Sequence, residues 1–444
     1  MLLFRMAILE GPVNYLASLL DVPADAVRLV TGLIFSQIFA ILHRVTFSKI
    51  SSHFTKRTIH LLLGLFLGFY VWDMDCLHHC ASAVGFYILF FFLPWDLAVK
   101  VNFFYQLGYL LVGYYYNNMV VNYAINWTTS QAIVTLKMIG LGFDLDDLKK
   151  DGVKLPSPFA VLGYVFFMGT YLVGPLDDFK RFEAFFNDSL FEKEKLPSFL
   201  IALKRLAHGI FYLVLSLITT SFLKTDFMLT SEFQELSLVL RILFVTAWGH
   251  CVLYKYLGVW CIAESTCMYV GYTFNGKDKW DGLRNVATAA FHKALKLQDV
   301  IDSWNINTNN WCAKHIYKRC KFLGNKGLSQ VITMTFLAMW HGLHLGYFVC
   351  FIQEFFYMSM EKGLQRNALV QKVASFLPGS VTMVISWFYT KLFLSFALVG
   401  FELYYYERIM HVYRSIYFIC PVFSVLIILS NVIFVQKLSP EKDD

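Results

Sequence analysis

Ten largely apolar stretches divide this chain, and they limit what it can fold into more than any motif does. They run over Val27–His43, Ile59–Trp72, Ala83–Val99, Phe103–Ala124, Val161–Val173, Leu200–Phe222, Val239–Ile262, Val331–Phe351, Val381–Phe401 and Ile416–Val435. A helix crossing the hydrocarbon core needs about 20 apolar residues, and several of these stretches reach that length. Backbone polar groups find no water in lipid, so chain at that depth is either helical or covered by protein. The shorter and interrupted stretches point to tilted and re-entrant pieces beside simple spans. The fold expected is an all-α polytopic integral membrane protein with about nine to twelve transmembrane helices. No repeat or low-complexity tract stands out, so residues 1–444 read as a single membrane domain.

Composition agrees. Charged residues make up 16% of the chain against 57% hydrophobic, and the mean hydropathy is +0.53. A soluble domain carries roughly 25% charged residues, so this chain has too few to cover a water-facing surface. Aromatics reach 18%, which suits lipid-facing helices and interfacial belts. The net charge of +7 is spread through connecting segments rather than gathered in one stripe, which fits positive-inside topology and not nucleic-acid binding.

Three connections are polar. Phe143–Lys154 is acidic and then basic, and Asp177–Pro197 follows the helix-breaking pair Gly174-Pro175. The third, Asn275–Lys326, contains Lys277, Lys279, Arg284, Lys293, Lys296 and a further basic cluster, and is expected on the cytosolic side. Sequons at Asn126 and Asn187 would be glycosylated only if they face the lumen. The nine cysteines lie mostly within apolar stretches and do not read as a disulfide framework. Glu10, Gly11 and Pro12 interrupt the apolar start before a cleavage site, so insertion is expected to rely on the first true span.

The chemistry concentrates late in the chain. Within Val331–Phe351 lies Trp340-His-Gly-Leu-His344. His341 falls about ten residues into the run, roughly 15 Å deep in a continuous helix. An ionisable group at that depth marks a functional site, and burial favours the neutral imidazole that can accept a proton. On one helix His341 and His344 would share a face, but a zinc site needs a third ligand, and no His, Cys or acidic residue nearby completes a pattern. Cys76-Leu-His-His-Cys80 likewise resembles a metal motif without completing one. No metal is expected, and His344 reads as a packing or lipid-binding residue.

Upstream, Trp304-Asn-Ile-Asn-Thr-Asn-Asn-Trp311 holds four asparagines between two tryptophans. Asparagine favours turns and caps, so the segment reads as a loop capping a helix from Cys312, or as a polar amide dipping into the membrane. Lys314, Lys318 and Arg319 follow at helical spacing and could hold polyphosphate, though positive-inside topology accounts for the same charges. No Gly-rich phosphate loop, zincin helix or nucleophile elbow appears. A proton-coupled transporter is the competing class, but no internal repeat or chain of intramembrane carboxylates supports it.

Together these residues resemble the membrane-bound O-acyltransferase family, which carries a histidine in an apolar helix and an upstream W-N-x-x-T-x-x-W pattern. Trp304, Asn305, Thr308 and Trp311 match that pattern and His341 matches the histidine. Val173-Gly-Pro175, Phe274-Asn-Gly276, Trp280-Asp281, Lys321-Phe-Leu-Gly-Asn-Lys326 and Val412–Phe418 resemble the branch that acylates lysophosphatidylcholine. The motifs span residues from about 160 to 420, and the first 150 match in hydropathy alone.

The resemblance implies a buried reaction chamber and transfer of an acyl group from acyl-CoA to the sn-2 hydroxyl of a lysophospholipid, with a polyunsaturated donor chain. It implies His341 and Asn305 as catalytic residues. Trp304, Thr308, Trp311, Lys314, Lys318, Arg319, Trp340 and His344 are candidates for substrate binding. No cofactor is implied beyond acyl-CoA as co-substrate. The implied partners are membrane lipids and a second copy in a homodimer, and the implied location is the endoplasmic reticulum membrane. The tail Glu-Lys-Asp-Asp444 has one lysine and is not a dilysine retrieval signal. Family members acylating a sterol, diacylglycerol or peptide are the alternative within the class.

Overall fold

The computed structural model describes residues 7–120, 125–149, 152–191, 199–276 and 279–435. Lys277, Pro197 and the C-terminal tail lie outside them. Regular structure among the described residues is entirely helical. Five helical stretches there are long and apolar enough to cross a membrane: Ala24–Val45, His53–Phe92, Phe199–Leu229, Leu238–Tyr269 and Gly379–Leu403. A sixth arises if Tyr406–Ser415 and Ile419–Ser430, bent by 74°, count as one broken span.

Several apolar stretches that read as continuous are broken, each for a local reason. Ala83–Val99 is interrupted before Pro94, which cannot continue the helix ending at Phe92. Val161–Val173 holds a helix only over Pro158–Val165 and then turns, through Phe166–Val173, toward Gly174. Val239–Ile262 divides at Leu253. The break with most consequence divides Val331–Phe351 after His341.

Two compact units emerge. The first comprises residues 1–214, 255–286 and 307–311, and the second 215–254, 287–306 and 312–444. In the first, the helix Thr128–Asp147 is buried along nearly its whole length, as a helix enclosed on all sides must be. Its Lys137 pairs with Asp177 at 2.9 Å in full burial and also donates to the Tyr164 carbonyl and the Thr170 hydroxyl. Buried charges persist when they are paired and hydrogen-bonded in this way. Cys76–Cys80 packs in the same unit, where its histidines are already engaged. His79 bonds the Tyr171 hydroxyl at 2.7 Å and the Trp127 carbonyl at 3.0 Å, and His78 bonds the Tyr109 hydroxyl.

In the second unit Leu345–Arg366 and Gly379–Leu403 approach backbone to backbone at Gly346 and Gly400. A Cβ on Gly346 would strike the Gly400 carbonyl oxygen. Small residues permit this approach in membranes, where packing rather than hydrophobicity holds helices together. The Gly346 amide donates to the Tyr404 carbonyl at 3.1 Å, fixing the two helix ends in register.

Candidate active site

His341 is the last residue of the helix Lys326–His341. Gly342 then adopts φ 149°, a conformation that disfavours any side chain, and a Cβ there would also lie 2.6 Å from the Tyr347 ring. The chain crosses Leu343 and His344 before the next helix, Leu345–Arg366, begins. The expected common face of His341 and His344 therefore does not exist: one ends a helix and the other precedes the next. The deep histidine of an uninterrupted span is instead a histidine at a helix break.

Aromatic rings frame it. The His341 ring lies 4.7 Å from Trp340, 5.9 Å from Tyr347, 5.3 Å from Phe351 and 5.1 Å from Phe401, all within the second unit. His341 is half-buried, and neither ring nitrogen bonds to the described protein or is sealed from open space. A packing histidine would spend its nitrogens on neighbouring helices, as His79 does. This one keeps them available inside an apolar cup. His344 is buried against Tyr404 and Tyr405.

Asn305 sits at φ 47° in a two-residue break between the helices Leu297–Ser303 and Ile306–Cys312. Asparagine tolerates this left-handed conformation better than most residues. The asparagines after it are helical rather than looped, because outside partners override their weak propensity. Asn307 donates its side-chain amide to the Leu283 carbonyl at 3.1 Å and takes part in bonds to Asn285. Thr308 and Trp311 are buried, and Trp304 packs 5.2 Å from Phe291. The basic segment also departs from expectation. Ala313–Tyr317 is a π turn and Lys318–Leu323 a 3-10 turn, so α-helical spacing does not set one basic face. Lys314 and Lys318 remain exposed and Arg319 is partly covered.

One helix serves both candidate catalytic residues. Tyr347 and Phe351, which touch His341, lie on the stripe of Leu345–Arg366 that continues through Glu354 to Glu361. Glu361 accepts the amides of Leu297 and Gln298 at 2.8 and 3.4 Å, holding the N-terminus of the short helix that ends before Asn305. The anchor at Glu361 is about 15 Å along the helix from Phe351. No hydrogen bond joins Asn305 to His341 among the described residues, and what connects them is this shared scaffold.

The model of the membrane-bound O-acyltransferase family matches residues 151–405. The chain belongs to the membrane-bound O-acyltransferase family. It is similar over almost its whole length to human lysophospholipid acyltransferase 5, at 34% identity covering 95% of this chain and 91% of that one. The Drosophila melanogaster protein of the same name is 29% identical over 94% and 89%. The Schizosaccharomyces pombe lysophospholipid acyltransferase is 26% identical over 94% and 88%. The similarity thus includes the first 150 residues, where motifs alone reached only hydropathy.

Membership makes the chain an acyltransferase and directs attention to residues that motif reading missed. Glu264, buried in Tyr254–Tyr269, accepts the amides of Asn285 and Val286 and pairs with Arg205 at 2.6 Å. It thereby fixes the strap that holds Asn307. Lys391, inside Gly379–Leu403, donates to the Phe291 carbonyl at 2.7 Å. For Lys391 the available signal was a charge inside the apolar run Val381–Phe401, whereas Glu264 falls two residues beyond Val239–Ile262 and gave none.

Glu354 is different in kind. It is half-buried on the stripe, one turn past Phe351 toward Glu361, with no hydrogen bond or ion pair among the described residues. A desolvated carboxylate without a partner costs stability, which makes Glu354 a candidate for a role in turnover. Glu354→Leu should lower turnover tenfold or more while raising the melting temperature by a few degrees. Unchanged turnover would reduce Glu354 to a bystander.

Proposed function

We propose that this chain re-acylates lysophospholipids, moving an acyl group from acyl-CoA to the sn-2 hydroxyl of lysophosphatidylcholine and related acceptors in the endoplasmic reticulum membrane, with polyunsaturated chains as donors. The observation that carries the reading is the His341 imidazole, its nitrogens unspent, in an aromatic cup at a helix break. The relatives named lysophospholipid acyltransferases support the lysophospholipid as acceptor.

The chemistry requires three things: a weak alcohol nucleophile made stronger, an oxyanion stabilised, and water excluded. His341 removes the proton as the hydroxyl oxygen bonds to the thioester carbonyl carbon. The tetrahedral intermediate collapses, the carbon–sulfur bond breaks, and the proton passes to the departing coenzyme A thiolate. Asn305 supplies an amide donor for the oxyanion, a role worth about 10²–10³ in rate. The rings around His341 keep the chamber dry and strengthen both interactions. Lys314, Lys318 and Arg319 meet the phosphates of coenzyme A.

Two measurements test the assignment. Offered lysophosphatidylcholine, a sterol, diacylglycerol and a peptide hydroxyl in competition, the purified protein should consume acyl-CoA only with the lysophospholipid. Preference for another acceptor would move the chain to a different branch, and transbilayer flux without acyl-CoA consumption would make it a transporter. Replacing Lys314, Lys318 and Arg319 together by glutamine should raise the KM for acyl-CoA about tenfold at low salt with kcat little changed. An unchanged KM would leave these charges to topology.

A further inference from the structure

The helix Gly379–Leu403 reaches toward both proposed catalytic residues. Near its C-terminal end, Phe401 lies 5.1 Å from the His341 ring. Earlier on the helix, Trp387 and Lys391 stand one turn apart on a common face. They meet consecutive carbonyls of another segment. Lys391 Nζ donates to the Phe291 carbonyl at 2.7 Å, and Trp387 Nε1 to the His292 carbonyl at 2.9 Å. All these residues lie in the second unit.

Those carbonyls need outside donors. Thr288–Lys293 is a helix of six residues, and the final carbonyls of a helix have no partner within it. Phe291 is 0% exposed, and a buried carbonyl left unmet is costly. An ammonium makes the stronger, charge-assisted kind of bond to it. The same Nζ sits 4.8 Å from the centre of the Phe291 ring. Lys391 is 1% exposed midway along a 25-residue helix, so water does not compete for either contact.

The residue fixed in this way bears on Asn305. Phe291 packs 5.2 Å from Trp304, the residue before Asn305. It also stacks on His250 at 5.3 Å, and His250 Nε2 lies 3.0 Å from His292 Nδ1. At the head of the same segment, the Ala287 amide donates to the Ser303 carbonyl at 2.9 Å. The approach to Asn305 is thus braced from Gly379–Leu403 as well as from Glu361. Asn305 lies in a break between helices, so the direction of its side chain depends on that bracing.

We propose that Lys391 is a positioning residue for acyl transfer, setting the Asn305 amide against the oxyanion through Phe291 and Trp304, with Trp387 as the lesser brace. The inference rests on the oxyanion role proposed above for Asn305.

The test is a double-mutant cycle in the full-length purified protein, read as single-turnover rate and KM with labelled arachidonoyl-CoA and lysophosphatidylcholine. Lys391→Met should lower the rate about tenfold or more, since a misplacement of ~1 Å can cost ~10². The KM for acyl-CoA should stay within about threefold of the parent, because the amide acts on the transition state. Placed on Asn305→Gly, Lys391→Met should lower the rate by less than about twofold further, because the amide it positions is already gone. A general loss of stability would cost as much in either background. Trp387→Phe keeps a ring and removes the His292 contact. It should show a smaller loss, about threefold, that also vanishes on Asn305→Gly, and it carries the test if Lys391→Met does not fold. Parent-like turnover by Lys391→Met, or an equal loss in both backgrounds, overturns the proposal and leaves Asn305 standing. Near-normal turnover by Asn305→Gly alone overturns the role of Asn305 and this inference with it.

Discussion

Replacing His341 with alanine should lower acyl transfer by about a thousandfold or more, while affinity for acyl-CoA changes by less than about threefold. A positioned base is worth ~10²–10⁴ in rate, and the loss should lie near the upper part of that range because the rings described against His341, those of Trp340, Tyr347, Phe351 and Phe401, include no second base. Alanine also removes packing, since the ring touches Trp340, Tyr347, Phe351 and Phe401. Each such pair can contribute about 0.5–1.5 kcal/mol. His341→Phe separates the two effects, because it keeps a ring in the cup and removes both nitrogens. Turnover measured beside a melting curve should find the phenylalanine variant as inactive as alanine and closer to the parent in stability. If His341→Phe retains more than a tenth of the activity, the imidazole is packing and the proton goes elsewhere.

The second large effect is expected at Asn305, where backbone and side chain must be tested apart. At φ 47° an alanine is strained by roughly 1–2 kcal/mol, so Asn305→Ala confounds a lost amide with a distorted turn. Glycine adopts this conformation freely. Asn305→Gly should keep the break between Leu297–Ser303 and Ile306–Cys312 and still lose about 10²–10³ in kcat, the value of one oxyanion donor. Single-turnover rates at saturating acyl-CoA, with the melting temperature as control, decide it. A glycine variant with near-normal turnover would assign Asn305 to the turn alone.

The membrane class was legible because lipid imposes one rule on every residue of a span: apolar side chains and satisfied backbone. His341 drew attention as an ionisable residue in an apolar run, and Asn305 only through the pattern around it, because an asparagine in a polar connection is ordinary turn material. The break after His341 was less legible. Val331–Phe351 is continuously apolar, and only Gly342 marks the stop, through a backbone angle and a clash with Tyr347 that hydropathy does not register. The helical asparagines were misread for a similar reason. Asn307 is held by Leu283 and Asn285, more than twenty residues away in sequence, and local propensity carries nothing about such partners. Glu354 and Glu361 show the same limit from the other side. They share a stripe of one helix, yet one anchors Leu297 and the other stands without a partner, and only folding separates them.

The central claim, that His341 drives esterification of a lysophospholipid hydroxyl by an acyl thioester, is tested most directly with purified protein, labelled arachidonoyl-CoA and lysophosphatidylcholine. The parent should form phosphatidylcholine labelled at the sn-2 position with one free coenzyme A thiol released per ester made. The His341→Phe variant should form none. Free fatty acid in place of the ester, or equal product from the two proteins, would contradict the account.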